Sequence, residues 1–258
     1  MDAVTDRTIR AGRATPEADW LACAALRDAP AIDAAELVPA TARAVVVSPH
    51  PDDEVIATGG LLSLLARAGR PLCLVAVTDG TASHPGSARW PARRLQRHRP
   101  REQALALQRL GADAAAVHRL GLPDGGLQAA QPRLAGYLLQ LLRPGDVVFA
   151  TWRLDGHPDH EAVGRACADA AAQRGARLVE VPVWGWHWSR PQDAPMPWRQ
   201  ARRVDLDAQT VRRKCAALRM HRSQLRPDPS TGAPPILDGA TLARAARPFE
   251  LVFVHDAP

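Results

Sequence analysis

Cysteine, lysine, tyrosine and phenylalanine are all scarce in this 258-residue chain, and several whole classes of protein drop out with them. The four cysteines, Cys23, Cys73, Cys167 and Cys215, never form a C-x-x-C pair. That excludes a disulfide framework and a cysteine zinc site, and most of the thiols read as small buried hydrophobes. No apolar run approaches about 18 residues, so a membrane-spanning helix is excluded. Met1 to Trp20 mix acids and arginines around no apolar core. This is not a secretory signal, and the cytoplasm is the expected location. Lys214 is the only lysine, so the net charge of +6 is an arginine charge. Arginine suits phosphate and carboxylate. Here, however, the arginines are spread along the chain with no RNA- or DNA-binding signature beside them. They read as a solvated basic surface, and nucleic acid is rejected as a partner. One denser cluster stands out: Arg93, Arg94, Arg97, Arg99 and Arg101.

The composition, 46% hydrophobic and 23% charged, is that of a globular protein. A chain of this length buries roughly three quarters of its unfolded surface in one domain. Strands are expected at 44–47, 72–77, 115–120, 147–151, 178–183 and 249–254. Helices are expected at 16–28, 59–68, 101–110, 134–142, 159–173 and 210–220. The stretches 81–92, 184–200 and 226–235 read as loops. Strands alternating with helices imply right-handed βαβ units and a mainly parallel sheet. The first strand is a continuous apolar run, as expected where helices cover both faces.

Chemistry-bearing residues concentrate after two of these strands, where open parallel sheets bind ligands. Pro49-His50-Pro51-Asp52-Asp53-Glu54 follows the first. His50 and Asp53 can swing to one side of a tight turn as a pair of metal ligands, which leaves Asp52 for proton transfer. The plainer alternative is a polar turn in which Asp52 or Asp53 caps the next helix. Asp155-Gly156-His157-Pro158-Asp159-His160-Glu161 follows the 147–151 strand. One of His157 and His160 would complete an open site of two histidines and one carboxylate. The other is then free to donate a hydrogen bond to an oxyanion, with Asp159 orienting an imidazole. Zinc in such a site lowers the pKa of a water to roughly 7.

The P-H-P-D-D-E turn followed by Gly59-Gly60, with H-P-D-H about a hundred residues later, resembles the PIG-L/LmbE-type zinc de-N-acetylases. The resemblance covers roughly 43–225. It implies a Rossmann-like three-layer α/β fold with a mainly parallel sheet, in a single domain over 1–258. Residues 1–42 are then an N-terminal extension and 226–258 a C-terminal loop and strand. It implies one Zn2+ per chain held by His50, Asp53 and His160, and Asp52 as general base. His157, supported by Asp159, would stabilise the oxyanion or protonate the leaving amine. By weaker matches, Arg99 contacts the substrate and Asp124, in L-P-D-G, hydrogen-bonds sugar hydroxyls. The plain alternatives are a surface arginine and a turn residue.

Trp184-Gly185-Trp186-His187-Trp188 either stacks on a sugar, with Trp186 as the candidate, or plugs the core. His84, His98, His118 and His255 lack partners at ligand spacing and read as structural or surface residues. The expected activity is hydrolysis of an N-acetyl group from an N-acetylglucosamine-type sugar or glycoconjugate. A zinc amidase on a thiol conjugate or other N-acyl compound is the alternative. A basic nucleic-acid module would leave both His/Asp clusters unexplained. The sequence leaves the oligomeric state, including a homo-oligomer, open.

Overall fold

A computed structural model describes residues 7, 9, 14–191 and 196–255. In chain order, the elements are α1 (Glu17–Ala22), α2 (Ala24–Arg27), α3 (Ala34–Leu37), β1 (Ala44–Ser48), α4 (Asp53–Arg67), β2 (Leu72–Ala76), α5 (Ala92–Leu110), β3 (Ala116–Arg119), α6 (Leu127–Leu141), β4 (Val147–Thr151), α7 (Pro158–Arg174), β5 (Arg177–Val181), α8 (Gly185–Trp188), β6 (Ala201–Asp205), α9 (Ala208–Leu218), α10 (Arg222–Leu225), α11 (Gly239–Ala245) and β7 (Phe249–Val254).

Among the described residues, the strands form one seven-stranded sheet in the order β3-β2-β1-β4-β5-β7-β6. β1 to β5 pair in parallel, and β7 runs antiparallel to both β5 and β6. Every residue of β1 is buried, because both sheet faces are covered. Successive side chains alternate faces. Ala44 and Val46 enter a core with Leu61, Leu65 and Leu110 of α4 and α5. Val45 and Val47 enter a second core with Leu134, Leu138 and Val163 of α6 and α7. A third cluster joins Trp20, Trp152, Trp186 and Phe253 at the far end of the sheet.

The chain leaves β1 outward through β2 and β3, then returns to the other side of β1 as β4. The crevice beyond β1 and β4 is therefore a topological switch point, the place where such sheets bind ligands. Both His/Asp clusters open onto it.

The boundaries differ from the sequence expectations in instructive places. α5 starts at Ala92 and runs through Pro100. Proline removes a helical N–H and disfavours the helical conformation of its predecessor, at a cost of about 3 kcal/mol. Leu95, Arg99, Glu102, Ala106 and Leu110 nevertheless hold one buried face across it, so packing overrides propensity. α6 likewise starts at Leu127, ahead of the expected 134, and contains Pro132. The expected helix over 16–28 is interrupted at Cys23, whose backbone is extended. β6 and α11 were not anticipated. Of the 184–200 stretch, 192–195 lie outside the described residues; the rest is irregular, as expected, except that 185–188 form the single turn α8. Cys23, Cys73 and Cys167 are buried free thiols, while Cys215 is half-buried.

One tertiary clamp bears on the site. Glu250 of β7 accepts hydrogen bonds from Gly60 N (2.7 Å) and Leu61 N (2.8 Å) in the middle of α4, and from Lys214 Nζ (2.6 Å). A Cβ at Gly60 would stand 2.5 Å from Leu206 and 3.1 Å from the Glu250 carboxylate. Glycine here admits the carboxylate to the helix backbone.

Candidate active site

The turn after β1 is held from several sides. Ser48 Oγ lies within hydrogen-bond distance of His50 O (2.6 Å) and Glu54 Oε2 (2.8 Å), and Thr78 Oγ1 donates to Pro49 O (2.8 Å). Within it, Asp52 has φ 143°, the one positive φ among described non-glycine residues. Such a conformation costs on the order of 1–3 kcal/mol and persists only where its surroundings enforce it. Here Asp52 N donates to Glu54 Oε2 (3.2 Å), and Arg99 Nη2 donates to Asp52 Oδ2 (3.0 Å). Arg99 also donates to Pro51 O (2.8 Å) and Gly80 O (2.9 Å). Gly80 has φ +65°, and any Cβ there would overlap the Arg99 guanidinium.

The strained turn separates two adjacent carboxylates. Asp53 opens α4 and faces His50 and His160. Asp53 Oδ2 lies 3.2 Å from His50 Nδ1 and 3.2 Å from His160 Nε2, and the two nitrogens are 3.3 Å apart. Ligands about 2.0–2.1 Å from a tetrahedral zinc lie about 3.3 Å from one another, which is the size of this triangle. The hydrogen bonds on the far side of each ring fix its tautomer. His50 Nε2 faces the carboxylates of Asp124 (3.1 Å) and Asp159 (3.3 Å), so it carries the proton and Nδ1 keeps its lone pair. His160 Nδ1 faces Asp155 Oδ2 (2.8 Å), so the neutral ring carries its proton there and has its lone pair on Nε2. Two lone pairs and an anionic oxygen thus converge on one point, an arrangement that calls for a cation.

The electrostatics agree. Burial opposes a charge on His160, but Asp53 and Asp155 outweigh it and raise its pKa to about 9. His50 is raised in the same way: burial is overcome by Asp124, Asp159 and Asp53. Asp53 is held well below the usual carboxylate range, because its two histidines overcome its burial. Asp52 is different. Burial pushes it up to about 7, with Asp53 and Glu54 adding to the rise and Arg99 opposing it. A cation at the neighbouring triangle would pull it down again.

α7 supplies the other wall. His157 is its N-cap, with Nδ1 accepting from Asp159 N (3.2 Å) and Pro158 in the first turn. Nε2 therefore carries the ring proton. Burial, reinforced by His160 and His50, lowers this histidine to about 3, so the ring is a neutral donor. The Asp159 side chain supports a different ring from the one expected. Its carboxylate accepts from Gly125 N (2.7 Å) and Leu127 N (3.0 Å) and meets His50, so only its backbone serves His157. Asp124 accepts from Ala82 N (2.6 Å) and touches His50.

Asp155 has a role that the motif alone does not reveal. It is fully buried and accepts from Val183 N (2.9 Å), Trp184 N (2.9 Å), Gly185 N (2.8 Å) and His160. The signal for it was an acid five residues before a ligand histidine at a helix start. His50, Asp52, Asp53, Asp124 and His157 line a cavity of about 200 Å³ that also takes in Arg99, Trp184, Gln224 and Leu237. Trp184 lies 6.3 Å from His157, nearly parallel to it. Trp186 lies elsewhere, in the third core, edge-on to Trp20 at 4.9 Å with Nε1 donating to Pro182 O (3.0 Å). Of the other histidines, His98 pairs with Glu102, His118 with Tyr137 and His255 with Glu180, away from this cavity.

A family model described as PIG-L, GlcNAc-PI de-N-acetylase, matches residues 45–171. A 1D-myo-inositol 2-acetamido-2-deoxy-alpha-D-glucopyranoside deacetylase from Mycobacterium sp. (strain KMS) is 30% identical over 74% of this chain and 75% of its own. The chain belongs to the PIG-L family. Among solved structures, the N,N'-diacetylchitobiose deacetylase from Pyrococcus horikoshii shares the PIG-L fold with a TM-score of 0.55, at 22% identity over 70% of each chain. Teicoplanin deacetylase in its zinc-inhibited form gives a TM-score of 0.61 at 17% identity, over 83% of this chain and 99% of its own. The PIG-L match spans both His/Asp clusters, while the cavity wall from Trp184 onward lies outside it. No helix among the described residues is long and apolar enough to cross a membrane.

Proposed function

We propose that this protein is a metal-dependent amidohydrolase that removes the acetyl group from an N-acetylglucosamine-type sugar or glycoconjugate, giving acetate and a free amine. The observation that carries this reading is the convergence of His50 Nδ1, Asp53 Oδ2 and His160 Nε2, with Asp52 and His157 lining the cavity beside it. The metal is one Zn2+ per chain, held by those three residues; when bound it acidifies water and polarises the amide carbonyl. Asp52 accepts a proton from the attacking water, and Arg99 holds its carboxylate in position from behind. His157 donates Nε2–H to the carbonyl oxygen as negative charge develops there, a contribution typically of about 3–4 kcal/mol per donor. The proton on Asp52 then passes to the departing amine. Asp159 and Asp124 hold the His50 ring, and Asp124, on the cavity wall, is also placed to meet a sugar hydroxyl. Arg99 acts through Asp52, because its guanidinium is already committed to Asp52 and two carbonyls.

The test is acetate release from free, inositol-linked, phosphorylated and lipid- or glycopeptide-linked N-acetylglucosaminides, with metal content measured alongside. Release that a chelator abolishes and zinc restores is the expected result. A protein that binds no divalent metal tightly would overturn the reading.

A further inference from the structure

Arg244, on α11, is only 8% exposed and lines the same cavity as His50 and Asp53. Its hydrogen bonding is incomplete. Nη2 donates to Thr15 O at 3.3 Å, and buried Nε meets no acceptor among the described residues. The acid it pairs with is already taken: Glu17 gives both oxygens to Arg247, at 2.6 and 2.8 Å, and stands 3.9 Å from Arg244 Nε. Arg247 is further fixed by lying over the Trp186 ring, 4.3 Å from its centroid. Two arginines thus share one carboxylate, and the bidentate geometry gives it to Arg247. Burial and the Arg247 charge lower Arg244 to about 10, against the pull of Asp238 and Glu17. The cavity wall it shares includes the apolar side chains of Ile56, Val183 and Leu237. A guanidinium in such surroundings is costly unless an anion meets it, and its planar fork suits carboxylate and phosphate. The cavity in front of it is open.

We infer that Arg244 binds an anionic group, carboxylate or phosphate, carried by the N-acetylated substrate, and so selects acidic sugar conjugates over neutral ones. The substrate part of this inference rests on the deacetylase reading; the anion site does not. It also assigns a task to the segment after residue 225, which lies outside the PIG-L match.

The experiment uses the metal-free protein, so that a bound cation does not itself attract the probes. Calorimetric titration compares N-acetylglucosamine, N-acetylmuramic acid and N-acetylglucosamine 1-phosphate against wild type, Arg244→Gln and Arg244→Lys, with melting curves to establish that each variant folds. At least one anionic probe should bind wild type about tenfold or more tightly than the neutral sugar, as expected for one buried charge-assisted contact. Arg244→Gln should abolish that preference and Arg244→Lys should keep part of it. Whichever anion binds tighter identifies the substituent. A preference that survives Arg244→Gln, equal binding of neutral and anionic probes, or no binding of any probe would each overturn the inference. Acetate release is then measured on the zinc-loaded proteins. Arg244-dependent binding without release would refute the deacetylase reading and leave the anion site standing. Release whose anionic-to-neutral ratio of kcat/KM falls about tenfold in Arg244→Gln would support both.

Discussion

Asp155→Asn changes one atom, and the structure specifies its consequence. The carboxylate of Asp155 accepts four hydrogen bonds and is fully buried. An asparagine can place its NH2 in either oxygen position. In the Oδ1 position it would confront Val183 N–H and Gly185 N–H, leaving two buried donors unpaired. In the Oδ2 position it confronts only Trp184 N–H, because His160 can adapt by moving its proton from Nδ1 to Nε2. Each unpaired donor costs about 1–3 kcal/mol, so the second orientation is preferred. It is also the one that damages the metal centre, since the protonated Nε2 then points into the ligand triangle. Stability should fall by about 1–3 kcal/mol, and zinc affinity by about 10- to 100-fold, the usual effect of losing such an outer partner. Chelator competition measures the affinity. Nitrogen chemical shifts of His160 in the metal-free protein, read above about pH 9 where the ring is neutral, report which nitrogen carries the proton. Unchanged zinc affinity, with the proton still on Nδ1, would refute the reasoning.

The pH dependence of stability follows from His160, raised to about 9 from its ordinary 6.5. A raised folded pKa stabilises the metal-free protein fully below about 6.5, and that stability is lost as pH climbs through about 9. The melting temperature of the metal-free protein should therefore decline across this window, and zinc, which replaces the proton, should remove the decline; a flat metal-free profile would contradict it. Asp52→Asn should retain zinc and lose about 10²- to 10⁴-fold in acetate release, whereas His160→Ala should lose the zinc itself. Wild-type turnover by Asp52→Asn would remove the base assignment. Gly80→Ala forces the Arg99 guanidinium away from Asp52, so kcat should fall while zinc content stays at wild-type level; wild-type kcat would show that Arg99 does not position the base.

The alternating frame was legible in the sequence because β1 and β4 are short, β-branched or apolar runs that end in polar turns. That pattern also places His50 and His160 at adjacent strand ends. What was not legible depended on distant partners. Pro100 marks a helix end locally, and only the buried face of α5 overrules it. Trp184 and Trp186 are alike in sequence, yet one borders the cavity and the other meets Trp20, which lies far away in the chain. Asp159 was expected to serve its neighbour His157 and instead reaches His50 across the crevice, because helix geometry at the α7 start directs its carboxylate toward the β1 turn. Arg244 carried no signal at all among so many arginines.

The Glu250 clamp bears on the order in which the enzyme can be completed during synthesis. β7 comes late in the chain, yet it sits inside the sheet between β5 and β6, and it carries the carboxylate that engages the middle of α4. A nascent chain emerging from the ribosome would expose His50, Asp53 and His160 long before Glu250 arrives. Until then Lys214 has no counter-ion and β6 has no neighbour to join it to the sheet. The helix that presents Asp53 is thus secured by a residue 190 positions beyond Gly60, so a chain stalled before β7 would display the ligands without the architecture that fixes them.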